Sequence, residues 1–132
     1  MRTIIAGSRS ATAAQVQAAM ATCPWVDQIT LVVSGTAPGA DQAGEQWAEA
    51  HNLPVERYPA DWTAHGRAAG PIRNRHMAGL ADALVAVWDE QSPGTKSMIG
   101  YAGTRGLRIW LYKTKLGIGV DASPGNRSRA SA

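Results

Sequence analysis

Ile29-Thr30-Leu31-Val32-Val33-Ser34-Gly35-Thr36-Ala37-Pro38-Gly39-Ala40-Asp41 decides how this chain folds. Ile29, Leu31, Val32 and Val33 make an apolar, β-branched run of buried-strand length. Two glycines then break the run. Beyond them Ala40, Ala43, Gly44, Trp47, Ala48 and His51 fall at i, i+3, i+4, i+7, i+8 and i+11, which is helical spacing. The stretch therefore reads as strand, tight loop and helix start. Such a loop leaves free backbone N–H groups at a helix N-terminus, where the dipole also favours negative charge, so phosphate or another anion is the natural guest. Neither a Walker lysine nor the full dinucleotide fingerprint is present, and an isolated glycine loop often does no more than turn the chain. The other loops have to decide between the two.

Upstream, Arg2 to Ala6 is a short strand that runs into Gly7-Ser8-Arg9. Thr12 with Gln15 then makes a capping box for a helix to about Ala21, with Val16, Ala19, Met20 and Cys23 facing inward. Downstream, Leu53 to Tyr58 is a third, shorter strand with Pro54 at its start. Pro59 to Gly70 is the longest connection, and loops of about a dozen residues in compact domains are usually functional or disordered. Pro71 opens the next helix, with Ile72, His76, Gly79 and Leu80 at helical spacing. Ala83 to Trp88 is an unbroken apolar run, as expected of a central strand covered on both faces. After Asp89, Ser92-Pro93-Gly94-Thr95 leads a fourth helix that stops at Gly106, and Leu107 to Tyr112 is a fifth strand.

Five strands alternating with four helices predict an α/β fold: an open, mainly parallel five-stranded sheet with right-handed crossovers and helices on both faces. The chain of 132 residues, 45% hydrophobic, holds one domain, taken as residues 1–112. Residues 113–132 read as a basic Gly/Ser-rich tail, with Gly117 to Val120 pairing on a sheet edge. Residues 1–112 balance nine Lys/Arg against nine Asp/Glu, whereas the tail holds four Lys/Arg and one acid. A neutral body argues against a general nucleic-acid footprint despite the formal charge of +3. No apolar run approaches the ~20 residues of a membrane span, and no signal peptide opens the chain, so a cytoplasmic protein is expected. Cys23, the single cysteine, is given no role.

Each glycine-rich loop follows the carboxyl end of a strand, where open α/β sheets bind ligands. The candidate ligand-binding residues are Gly7, Ser8 and Arg9; Ser34, Gly35, Thr36, Gly39 and Asp41; Arg67, Gly70, Arg73 and Asn74; and Gly94 and Thr95. They supply N–H groups, hydroxyls and cations. Arg67 and Arg73 lie near a helix N-terminus, where a cation is unfavourable unless an anion sits between them and the helix. Asp41 is read as a brace for its helix. Asp89 is the candidate catalytic carboxylate, since burial at a strand end would raise its pKa. Trp62 is the tryptophan expected to stack on a ligand ring, while the other four are core. His65, a lone loop histidine, is more often neither base nor contact. No His/Cys/Asp spacing points to a metal.

Gly7-Ser8-Arg9, Val33 to Asp41, Gly66-Arg67-Ala68-Ala69-Gly70-Pro71-Ile72-Arg73-Asn74-Arg75 and Gly94-Thr95-Lys96-Ser97-Met98-Ile99 together resemble the YspA-related branch of the SLOG superfamily. The resemblance spans about residues 2 to 112, and its third segment is the most specific. It implies a Rossmann-like fold and a nucleotide or nucleotide-derived ligand, ADP-ribose-like, NAD-like or a nucleoside phosphate, bound in a sensing or processing role. No other cofactor is implied. A homodimer is also implied. The relatives DprA and the LOG phosphoribohydrolases add two alternatives, single-stranded DNA binding and N-glycosidic hydrolysis of a nucleoside monophosphate. Two departures stand out. Thr36 and Pro38 occupy positions where the branch has a second glycine and an arginine. Lys96, Ser97 and Met98 follow Thr95 where LOG enzymes carry a glutamate, so Asp89 would have to serve instead. In this reading Arg67 and Arg73 clamp a phosphate on Gly35 to Gly39, and Thr95 with Asp89 addresses the ribose. Arg73→Ala then weakens binding by ~1.5–3 kcal/mol and leaves stability nearly unchanged.

Overall fold

Ala83 to Trp88 is apolar at every position because both of its faces are covered. As β4 it lies inside the sheet, between β1 (Arg2–Gly7) and β5 (Arg108–Lys113), parallel to both. The computed structural model describes residues 1–125. With β2 (Leu31–Ser34), β3 (Val55–Arg57) and β6 (Ile118–Asp121), the sheet has six strands in the order β3-β2-β1-β4-β5-β6. The first five are parallel, so the open, mainly parallel α/β sheet is as expected. The strand count is not. Ile118–Asp121 pairs antiparallel with β5, and Ser123 Oγ accepts the Ile109 N–H at 2.8 Å, which carries the sheet beyond Tyr112. The rest of the expected tail, residues 126–132 with Arg127 and Arg129, lies outside the described residues.

Successive side chains of a strand point to opposite faces, and the core divides accordingly. Ile5, Val32 and Val85 meet Val16 and Met20 of α1 (Ala13–Thr22) and Trp47 of α2 (Ala40–Ala50) on one face. Ile4, Val33 and Leu84 meet Met77 of α4 (Ala69–Leu80) and Met98 of α5 (Pro93–Thr104) on the other. The Thr12–Gln15 capping box is formed, and Val16, Ala19, Met20 and Cys23 are buried as expected.

Two local readings need correction. Pro59 to Gly70 is not a plain loop: Asp61 caps a short helix α3 (Trp62–His65), accepting the Ala64 N–H at 3.0 Å, and a 3-10 turn over Gly66–Ala68 joins it to α4. α4 begins at Ala69, and Pro71 sits in its first turn, where the missing N–H has no intrahelical acceptor to lose. Ile72, His76, Gly79 and Leu80 mark its outer side; Ile72 is 47% exposed. The buried side is Gly70, Asn74, Met77 and Ala78. Small residues there let α4 pack against α5 through Met98 and Ala102.

Among the described residues no helix is long and apolar enough to cross a membrane.

Candidate functional site

The strand order reverses between β1 and β4, and the loops that leave their carboxyl ends diverge to opposite faces of the sheet. A cleft of about 930 Å³ opens at that edge, within the ~300–1,000 Å³ of small-molecule sites. Gly7, Arg9, Gly35, Thr36 and Asp41 line it together with Gly70, Arg73 and Asn74 of α4 and Gly94 and Thr95 of α5. Three helices, α2, α4 and α5, begin at this wall, and none has a side-chain cap. With Pro93 at its start, α5 leaves the N–H groups of Gly94 and Thr95 without intrahelical acceptors.

Behind the wall a second set of predicted residues holds these ends in place. The Ser8 carbonyl accepts N–H bonds from Ala11 at 3.1 Å and Ala40 at 3.2 Å, and its hydroxyl accepts the Asp89 N–H at 3.0 Å. The end of β1, the start of α2 and the end of β4 are thereby tied to one buried serine. Ser34 donates its hydroxyl to Glu45 Oε2 at 2.6 Å and accepts the Thr36 N–H at 3.1 Å. Gly39 has φ +83°, and a Cβ there would lie 2.4 Å from the Arg9 carbonyl oxygen, so only glycine fits. Ser8 and Ser34, both buried, and the half-buried Gly39 are thus supports rather than wall residues.

Asp89 also departs from its expected role. Its Oδ1 accepts the N–H groups of Gln91 at 2.9 Å and Ser92 at 2.8 Å, and Oδ2 accepts the Ser92 hydroxyl at 3.0 Å. These bonds, the Ser92 N–H first, pull its pKa down to about 2 instead of raising it. It is off the cleft wall, and its carboxylate shapes the turn into α5. A carboxyl so strongly ionised is a poor general acid and a weak base.

Asp41 and Arg73 flank Gly35, where an added Cβ would fall 2.6 Å from Arg73 Nη1 and 2.7 Å from Asp41 Oδ2. Arg73 is half-buried. Its Nη1 donates to the Gly35 carbonyl and, at 3.4 Å, to the Tyr58 carbonyl, while Nε donates to Asn74 Oδ1 at 2.9 Å. Asn74 Nδ2 continues to the Gly94 carbonyl at 3.4 Å. The arginine expected as a ligand clamp of no structural consequence is therefore a strut linking β2, β3, α4 and α5. Burial lowers its pKa, partly offset by Asp41. Asp41 braces as expected: buried in the first turn of α2, it accepts the Ala37 N–H at 3.2 Å. Burial pushes its carboxyl up to about 6, against the pull of that N–H and of Arg73.

Arg67 lies exposed in the 3-10 turn, away from the wall, and so does His65 at the end of α3. Arg9 is exposed on the wall and makes no hydrogen bond or ion pair with the described residues. Trp62, 53% exposed, stands at the lip against Gly70. Thr36 holds φ 65°, a left-handed backbone at the position where a second glycine was expected. Sequence reasoning missed the hydroxyls of Ser10 and Ser97 and the apolar floor of Met77 and Met98. The serines sit within three residues of flagged positions and were findable; the methionines carry no local signal that separates a cleft wall from core.

An open sheet wound in both directions about a reversal point, with helices on both faces, is a Rossmann-like domain. The chain belongs to the YspA, cpYpsA-related SLOG family, whose model matches residues 1–65, β1 through α3. It is 37% identical over 91 residues to the Gene 61 protein of Mycobacterium phage D29, covering 64% of this chain and 73% of that protein. The X-ray structure of DNA processing protein A (DprA) from Streptococcus pneumoniae matches with a TM-score of 0.68 at 16% identity, over 83% of this chain. This chain spans 49% of that DprA chain, and the likeness is one of fold.

Proposed function

We propose that the cleft binds a nucleotide or nucleotide-derived ligand, in a sensing or processing role. The observation that carries this reading is the meeting of three helix N-termini, all without side-chain caps, at one cleft of small-molecule size. Arg9 supplies an uncommitted guanidinium for an anionic group. Trp62 at the lip offers an aromatic face to a base, and Met77 and Met98 offer an apolar floor. Hydrolysis through Asp89 is no part of the proposal, because that carboxylate is committed to the Gln91–Ser92 turn.

Thermal unfolding against nucleoside mono-, di- and triphosphates, ADP-ribose, NAD and a short single-stranded oligonucleotide tests it. A ligand at a hundred times its Kd adds ~2.7 kcal/mol, a shift of several degrees in Tm for a domain of this size. A shift from a small nucleotide that survives moderate salt supports the reading. A shift from the oligonucleotide alone, lost steeply with salt, replaces it with single-stranded DNA binding of the kind the relationship to DprA raises. No shift from any of them refutes both.

A further inference from the structure

We infer that residues 61–68 form a lid at the rim of the cleft, which closes on the bound nucleotide with Trp62 and Arg67 as its contacts. This rests on the nucleotide reading above and deepens it.

The rest of the rim is tied down. Ser8 joins the ends of β1 and β4 to the start of α2, Arg73 joins the ends of β2 and β3 to α4, and Asn74 joins α4 to α5. Between Tyr58, whose N–H is held by the Ser34 carbonyl, and the buried Ala69, the chain has no such anchor. Every one of residues 61–68 is exposed, and none belongs to either half of the core. Their hydrogen bonds stay local. Asp61 accepts the N–H groups of Ala64 and His65, Trp62 accepts that of Gly66, and Gly66 accepts that of Ala69. Among the described residues no hydrogen bond or ion pair joins this segment to the sheet or to α1, α2 or α5. A segment with little buried apolar surface and no outward hydrogen bonds moves at low cost in free energy.

Two joints bound it. Pro59 and Ala60 lead in along the cleft wall. Gly66 leads out, with φ +54° and no atom within 4 Å of the place a Cβ would take. It starts the 3-10 turn that interrupts the helical run of residues 62–80, and a 3-10 stretch inside such a run often marks a hinge. The side chains on the segment suit a ligand better than they suit the fold. Trp62, 53% exposed, lies against Gly70 at the lip and contributes little to the core. Arg67 is exposed, has no hydrogen-bond or ion-pair partner among the described residues, and stands three positions before Gly70 of the wall. Residues three apart share one side of a 3-10 turn, so Arg67 sits about one turn, ~5–6 Å, short of the wall. Folding the segment inward at its joints lays the indole across the opening, brings the guanidinium to an anionic group and expels water from the cleft.

The test is hydrogen exchange read by mass spectrometry on the full chain, with tryptic cleavage after Arg67 as a second readout. In the free protein the amides of residues 62–67 should exchange within seconds, and trypsin should cut after Arg67 well before it cuts after Arg73 or Arg75. The 5′-mono-, di- and triphosphates of adenosine, guanosine, cytidine and uridine, ADP-ribose and NAD are then added at millimolar concentration. The one that raises Tm most should slow both readouts by about tenfold or more. Arg67→Ala should leave the free protein's Tm unchanged and weaken that nucleotide by about tenfold or more, the loss of one charge-assisted hydrogen bond. Exchange over residues 62–67 of the free protein as slow as over residues 74–80 of α4 overturns the lid, whatever binds. A nucleotide that raises Tm yet leaves exchange and cleavage unchanged overturns the lid and leaves the nucleotide reading intact. Unchanged affinity in Arg67→Ala overturns the role of the arginine. Protection by a single-stranded oligonucleotide alone assigns the segment to DNA and overturns both readings. If no nucleotide raises Tm, the nucleotide reading fails and the lid falls with it.

Discussion

Replacing Asp41 with asparagine should make the protein's stability less dependent on pH, with a predictable sign. The unfolded carboxyl titrates near its ordinary 3.8, whereas burial raises the folded one to about 6. Between those values the native state binds more protons than the unfolded state, so stability falls as pH rises. Below the lower value no penalty remains, and above the upper value it is complete. About two units correspond to ~3 kcal/mol, a large share of the ~5–15 kcal/mol that holds a domain together. Asparagine keeps an oxygen for the Ala37 N–H and cannot ionise. Any fixed cost of its amide group is the same at all pH values and cancels from the comparison. Urea denaturation of both proteins from pH 3.5 to 8 gives the difference directly. The wild type should lose ~3 kcal/mol relative to the variant between about pH 4 and 6.5, and nothing further above. Parallel curves, or a wild type that gains on the variant as pH rises, would refute the argument that desolvation outweighs the Ala37 bond and Arg73. Asp89 does not confuse the reading: its pKa of about 2 gives stability that is lost as pH falls below the ordinary 3.8, a separate window with the opposite sign.

Three other substitutions probe the same edge of the sheet. Thr36→Gly should stabilise by up to about 1 kcal/mol, because relief of a left-handed threonine, ~1–2 kcal/mol, exceeds the entropy cost of glycine; chemical denaturation reads it, and a loss of stability contradicts the strain at φ 65°. Arg73→Ala should cost about 1.5–3 kcal/mol of stability through its bonds to Gly35 and Asn74, even without ligand; an unchanged denaturation midpoint would return Arg73 to a purely ligand-facing role. Trp62→Ala should leave stability within about 0.5 kcal/mol, since the side chain is largely exposed. It should weaken nucleotide binding by ~1–3 kcal/mol in titration, the value of one stacked base; equal affinity would remove the indole from the site.

The architecture was legible because it is written in local periods. The run Ala83 to Trp88 declares a strand covered on both faces, and the change of period across Gly35 to Gly39 declares a βα turn. The same logic pointed to the edge of the sheet at which the cleft opens, since strand ends and glycine loops coincide in sequence. Periodicity was weaker where a helix carries small or polar residues inward. In α4, Asn74 faces the protein and Ile72 faces solvent, so the spacing of Ile72, His76, Gly79 and Leu80 marks the helix without giving its buried side. β6 was readable only as an edge pairing, because four residues with two glycines around Ile118 carry little signal before β5 is there to receive them.

By itself the sequence determined the α/β class, the parallel order of events along the chain, and the residue types that gather at the carboxyl ends of the strands, because these follow from neighbours a few positions apart. Only the tertiary structure decided what each of those residues does. Arg73 turned inward because the carbonyls of Gly35 and Tyr58, distant in sequence, lie within its reach. Asp89 became a turn acceptor with a depressed pKa, and Asp41 a buried carboxyl with a raised one, though both are aspartates that follow strands at the same edge of the sheet, one just past β4 and one in the first turn of α2. Burial and hydrogen-bond partners set the charge and availability of a side chain, and both are properties of packing between segments that a linear pattern does not encode.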